Sequence, residues 1–170
     1  MKSSSTYTNQ RVGIFVDVQN LYHSSKNLYH GRVNYPELMK ALVGGRQLIR
    51  AMAYVVKSDT ALGESAFFDA LEKSGLELRS KDLQIYPDGL KKADWDVGMA
   101  VDAIRMSSFL DVVILVTGDG DFLPLVDYLK WGVGRLVEVA AFRRSASSKL
   151  QEAVDQFINL EDIPKIILRK

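Results

Sequence analysis

Two apolar runs in this chain, Val12-Gly13-Ile14-Phe15-Val16 and Val112-Val113-Ile114-Leu115-Val116, each break off into acid. The first ends in Asp17, and the second runs into Thr117-Gly118-Asp119-Gly120-Asp121. Short β-branched runs bounded by turn residues read as buried strands. In an open α/β sheet, ligands bind at the C-terminal edge of the strands. The acids at these two tips are therefore either metal ligands or helix caps, and most of what the chain can do depends on which.

Strand-like runs alternate with helical ones along the whole length. Strands are expected at 12–18, 48–56, at 76–79 or 83–86, at 112–116 and at 135–140. Helical spacing falls at 20–28, from Pro36 to Val43, at 60–74, 95–106, 122–131 and 147–157. Asn34 with Glu37 three residues later has the form of a capping box at a helix start. Pro87-Asp88-Gly89 reads as a turn, and Pro124 falls in a first helical turn, where a missing N–H costs little. Five strand–helix alternations predict an α/β fold, a three-layer α/β/α sandwich on a mainly parallel sheet of order 3-2-1-4-5. Residues 1–10 are expected to be a polar tail, residues 11–160 one domain, and residues 161–170 a tail or an edge strand.

Composition excludes several chemistries. The 170 residues contain no cysteine, so disulfides, thiolate zinc sites and cysteine nucleophiles are absent. The N-terminus lacks the apolar core of a signal peptide, and no apolar stretch reaches the length of a membrane span. A cytoplasmic protein is expected. The net charge of +1 gives no global basic field of the kind that marks many nucleic-acid binders, although acidic ligands can offset a local basic patch. His23 and His30, the only histidines, lack metal-ligand spacing and are assigned no role.

Asp17 and the pair Asp119 and Asp121 end strands that are neighbours in the expected order, so their carboxylates converge. Asp96 begins a helix whose preceding loop passes over the same edge. Carboxylates gathered this closely repel one another, and a divalent cation relieves the repulsion. An oxygen-only donor set points to Mg²⁺ or Mn²⁺. The competing reading is capping: Asp121 is well placed to cap the helix from Phe122, and Asp96 to favour a helix N-terminus. Asp17 resists that reading most, because an unpaired charge at the end of an apolar strand is costly to bury.

Three segments carry a resemblance to a known family. Phe15-Val16-Asp17-Val18-Gln19-Asn20-Leu21 resembles the first motif of NYN domains, the PIN-like ribonuclease family that includes the LabA-like proteins. Lys92 with Asp96-Val97-Gly98-Met99-Ala100-Val101-Asp102 resembles the central motif. Leu115 to Phe122, followed by Pro124-Leu125-Val126, resembles the third. The likeness covers about residues 11–160. It implies a PIN-like fold and RNA cleavage dependent on Mg²⁺ or Mn²⁺, with Asp17, Asp96, Asp119 and Asp121 as metal-binding acids. Asn20 and Thr117 would be polar supports, and Asp102 a further acid of the central motif. Asp94 is left as a neighbour. On this reading Asp17 and Asp119 hold the principal ion, while Asp96 and Asp121 orient its water or complete a second site.

RNA, single-stranded or structured, would be the partner. Lys92 would contact a phosphate or remain an exposed loop lysine. Lys91, Arg143, Arg144 and Lys149 lie near the acidic edge as candidate RNA contacts. Tyr22 and His23 follow the first motif closely enough to stack on a base, although packing within the first helix is the expected use of Tyr22. A homodimer is left open, with no pattern arguing for it. Among other enzymes, a Toprim-like site would want Glu where Asp17 stands, and a receiver domain would want paired acids after the first strand. A dinucleotide fold would need a glycine-rich turn that Val18-Gln19-Asn20 lacks. The alternative outside catalysis is a regulatory domain that binds RNA or protein and turns over slowly while retaining the metal site.

Overall fold

The computed structural model describes residues 7–57, 63–82, 84–85, 87, 91–92 and 94–169. The chain runs β1 (Arg11–Asp17), α1 (Val18–Tyr29), β2 (Arg32–Val33), α2 (Tyr35–Val43), β3 (Gln47–Lys57), α3 (Glu64–Lys73), β4 (Glu77–Asp82), β5 (Gln84–Ile85) and β6 (Lys91–Lys92). It continues with α4 (Asp96–Met106), β7 (Val112–Val116), α5 (Leu123–Asp127), β8 (Leu136–Ala141), α6 (Ser148–Ala153), β9 (Gln156–Asn159) and β10 (Ile167–Leu168). Six strands form one sheet in the order β4-β3-β1-β7-β8-β9, and every neighbouring pair is parallel. The expected five-strand order is present within it, extended by β9 at one edge.

Alternation along the strands sorts the core into two halves. Ile14, Val16, Ile114 and Val116 face the helices α1, α2 and α3, where Leu21, Leu38, Leu42 and Leu71 meet them. Phe15, Val113 and Leu115 face α4, α5 and α6 through Met99, Ala103, Leu125, Val126 and Leu150. All five residues of β7 are inaccessible to solvent. Burial of each such side chain contributes about 1.5–3 kcal/mol, enough for a central strand to carry an electrostatically unfavourable tip.

Several elements differ from the sequence expectation, for identifiable reasons. Helix α1 follows β1 with no loop, because Asp17 is itself the N-cap and accepts from the Asn20 amide at 3.2 Å. It ends at His30, which takes the left-handed conformation at φ 53° more usual for glycine. The third strand begins near the first of its two expected positions, while residues 83 and 86 of the second lie outside the description, with Gln84–Ile85 pairing antiparallel to Lys91–Lys92. Residues 60–62 of the expected 60–74 helix, Asp88 and Gly89 of the expected turn, and residues 1–6 of the expected tail also lie outside the described residues.

The expected helix over 147–157 is a correction. It stops at Ala153, and Gln156–Asn159 joins the sheet beside β8. Asp155 is the cause: its carboxylate accepts from the Val137 amide at 2.8 Å and its own amide donates to the Val137 carbonyl at 2.9 Å. Those two bonds draw the chain out of the helix and into the ladder. The last short strand, Ile167–Leu168, pairs antiparallel with Arg32–Val33, apart from the main sheet.

Candidate metal centre

The two central strands end in register, Val16 opposite Val116, so Asp17 and Thr117 leave adjacent tips. The Thr117 hydroxyl donates to one Asp17 oxygen at 3.1 Å and accepts from the Asp119 amide at 3.2 Å. The side-chain oxygen of Asn20 accepts from the Gly118 amide at 3.0 Å. The first turn of α1 and the loop after β7 are thereby stitched into one unit. Gly118 is needed there for close approach, because a Cβ would stand 3.0 Å from Cα of Ala146 and 3.2 Å from the Ser145 carbonyl oxygen. The Gly118 carbonyl in turn accepts from the Ser147 amide at 2.9 Å.

Within that loop the capping role falls to Asp119, not to Asp121. Asp119 accepts from the Asp121 amide at 2.9 Å and starts a single 3-10 turn, Gly120–Phe122, ahead of α5. The Asp121 carboxylate is exposed and makes no hydrogen bond or ion pair among the described residues. Helix α4 brings the third contribution. Asp94 accepts from the Asp96 amide at 3.2 Å, and the Trp95 indole donates to the Val55 carbonyl at 2.9 Å. Gly98 leaves room for that indole, since a Cβ would lie 2.5 Å from its ring. Farther along α4, Asp102 is buried and accepts from the Tyr54 hydroxyl at 2.8 Å and from the Arg79 guanidinium at 2.6 and 2.8 Å. Asp102 thus anchors α4 to β3 and β4 and does not face the other acids.

One carboxylate oxygen from each of Asp96, Asp119 and Asp121 lies within 4.8 Å of the other two. Asp17 stands outside this trio, and each of its oxygens accepts one hydrogen bond, from the Asn20 amide and from the Thr117 hydroxyl. Partial burial pushes the Asp96 carboxyl up to about 6, with repulsion from Asp119, Asp17, Asp94 and Asp121 adding to it. Burial also raises Asp17, against the lowering effect of its two hydrogen bonds, and Asp119 and Asp94 push the same way. A trio of oxygen donors, Asp96 and Asp119 partly buried and Asp121 exposed, has the charge, hardness and spacing to hold a divalent cation.

The candidate basic contacts are differently placed. Arg144 binds the Glu161 carboxylate at 3.2 Å and the Tyr29 hydroxyl at 3.0 Å. Arg143 donates to Gln151 at 3.4 Å and lies over the Phe157 ring. Lys149 is exposed and without a partner among the described residues. The backbone of Lys91 and Lys92 forms β6, and their side chains lie outside the description. Beside Asp17, Tyr35 and Phe67 line a cavity with Tyr22. Sequence periodicity assigns Phe67 to a helix core face, and no motif singles out Tyr35.

Comparison with known proteins gives a consistent result. The model of the NYN domain family matches residues 11–161. The chain is 24% identical over 172 residues to the low amplitude and bright protein LabA of Synechococcus elongatus, covering 92% of this chain and 87% of that protein. It superposes with a TM-score of 0.86 on the crystal structure of a protein of unknown function from Vibrio parahaemolyticus. That pair shares 30% identity over 99% of this chain and 100% of the other.

Proposed function

We propose that this chain, which belongs to the NYN domain family of PIN-like nucleases, is a cytoplasmic ribonuclease dependent on Mg²⁺ or Mn²⁺ that hydrolyses RNA phosphodiester bonds at its acidic edge. The observation that carries the reading is the convergence of Asp96, Asp119 and Asp121, from two separate segments, to within 4.8 Å. Those three carboxylates would hold the ion. When bound, the ion would lower the pKa of a water and offset charge on the phosphate oxygens.

The chain's own groups do the positioning. Thr117 and Asn20 fix the loop that carries Asp119 and Asp121, and Asp94 fixes the backbone amide of Asp96. Asp17 is held by two hydrogen bonds, and its charge reaches both Asp96 and Asp119. Attack of water on phosphorus breaks the bond to the leaving ribose oxygen. The leaving ribose oxygen takes up a proton as the attacking water gives one up to solvent, and Asp96, as a ligand of the ion, would orient that water. A regulatory domain with little turnover is the second reading. It draws support from Arg144, whose charge is spent on Glu161 rather than left open for a phosphate.

Labelled single-stranded and hairpin RNA incubated with the protein should be cut in Mn²⁺ or Mg²⁺. Cleavage should be lost in EDTA and in Asp119→Asn. Intact RNA under every metal, with RNA binding unchanged in Asp119→Asn, would sink the nuclease reading. Cleavage that survives Asp119→Asn would place the chemistry elsewhere.

A further inference from the structure

Next to Asp17 the chain forms an open cavity of about 460 Å³ to which the metal centre assigns no use. It opens at the same sheet edge, on the face covered by α1 and α3. Val18 and Gln19 on its wall follow Asp17 directly, and Val55 and Val56 follow Tyr54, the register partner of Asp17 on β3. Its size falls within the roughly 300–1,000 Å³ of small-molecule sites. The wall is aromatic. Tyr35 and Phe67 meet edge to face at 6.2 Å, Phe68 packs beside Phe67, and Tyr22 remains 47% exposed. Packing within the first helix, the sequence expectation for Tyr22, leaves nearly half of its surface open.

The Tyr35 hydroxyl narrows the class of ligand. Tyr35 is 7% exposed, yet its hydroxyl makes no hydrogen bond among the described residues. Among those residues no fully buried side-chain oxygen or nitrogen lacks a partner. Tyr35 is one of the residues that line the cavity, which places its ring and hydroxyl at the cavity wall. Burial and the nearby charge of Asp17 raise its pKa, so the group stays a neutral donor and acceptor. An aliphatic or lipid-like ligand would desolvate that hydroxyl without a partner, at a cost. A planar ring with polar edges stacks on the aromatic wall and satisfies the hydroxyl at once.

We propose that this cavity is a base-binding subsite, taking the nucleobase of one unpaired nucleotide of RNA beside the scissile phosphate, stacked on Tyr22 and hydrogen-bonded by Tyr35. The proposal rests on the ribonuclease reading for the identity of the polymer. It makes the enzyme one that reads single strands, because a base held in a duplex cannot enter. Exposed Arg32 at the rim offers a charge to a flanking phosphate.

The test uses uncharged probes, so that the acids do not repel them. Adenosine and uridine titrated into the ¹³C-methyl-labelled full chain, with chelator present, should shift the methyl signals of Val18, Val33 and Val55. Tyr22→Ala should weaken the dissociation constant on the order of tenfold, the loss expected for one base–aromatic stack. Tyr35→Phe, which keeps the ring, should weaken it several-fold. No nucleoside-dependent shift of those methyls would overturn the subsite, as would constants unchanged in both variants. So would indole binding as tightly as the nucleosides, since the cavity would then accept any flat apolar ring. RNA cleavage without methyl shifts removes the subsite and keeps the nuclease. Methyl shifts without cleavage remove the nuclease and keep a nucleoside-binding cavity.

Discussion

At the scale of single residues, Asp96 carries the electrostatic cost of the site. Its folded-state carboxyl is raised to about 6 from 3.8, so between those values the folded chain keeps a proton that the unfolded chain has lost. Stability from this group is fully present below about pH 4 and is lost as pH rises through 6. Asp17, also raised, acts in the same direction. In EDTA the thermal midpoint should fall as pH rises from 4 to 6.5, less steeply in Asp96→Asn. With Mn²⁺ the slope should reverse, because the ion competes with protons for the same oxygens. Differential scanning fluorimetry across pH with and without metal checks this. The acids themselves are legible in the sequence, since an apolar run that ends in Asp announces its tip. Which aspartate of Gly118-Asp119-Gly120-Asp121 turns back on the backbone is not, because either side chain can reach an amide two residues on. The hydrogen bond from the Asp121 amide to Asp119 decides it and leaves the Asp121 carboxylate to join Asp96 and Asp119.

At the scale of elements, α4 matters most, because it alone brings a carboxylate from outside the two strand tips. Its start is pinned by Asp94 and by the Trp95 indole on Val55, and its middle by Asp102 on Tyr54 and Arg79. Asp102→Ala would strand the Arg79 guanidinium and the Tyr54 hydroxyl. The expected loss is about 3 kcal/mol, the low end for a broken buried pair because Arg79 is partly exposed. Urea unfolding should show it as a lower midpoint, and the same variant should bind Mn²⁺ more weakly although it removes none of the trio. The helical periodicity of 95–106 is readable, and so is the acid at its start. The pairing of Asp102 with Arg79 and Tyr54 spans 23 and 48 residues and leaves no local mark, so a motif acid reads as a site acid. Strand β9 is hidden for a related reason: Gln156-Phe157-Ile158-Asn159 continues a helical pattern until Asp155 finds Val137, a partner only the folded sheet supplies.

At the scale of the molecule, the edge opposite the acids is closed by a buried ion pair. Arg46, in the turn before β3, reaches Glu138 of β8 at 2.9 and 3.1 Å while both side chains are about nine-tenths covered. Arg46→Met should cost about 3–5 kcal/mol, since it leaves the Glu138 charge buried without a partner. The double variant Arg46→Met, Glu138→Leu should recover much of that loss, and chemical denaturation of the three proteins measures it. The strand order has a consequence of a different kind, felt before the protein is complete. Strand β1 is the first of the six to leave the ribosome, yet it lies between β3 and β7, and Val12 pairs with Val112, a hundred residues later. At roughly 5–20 residues per second, one side of Val12-Gly13-Ile14-Phe15-Val16 waits about 5–20 s for its partner. An uncharged apolar segment left open that long is a target for holdases and for neighbouring nascent chains. Slower translation or a smaller chaperone supply should then lower the yield of folded chain, even with the finished sheet unchanged.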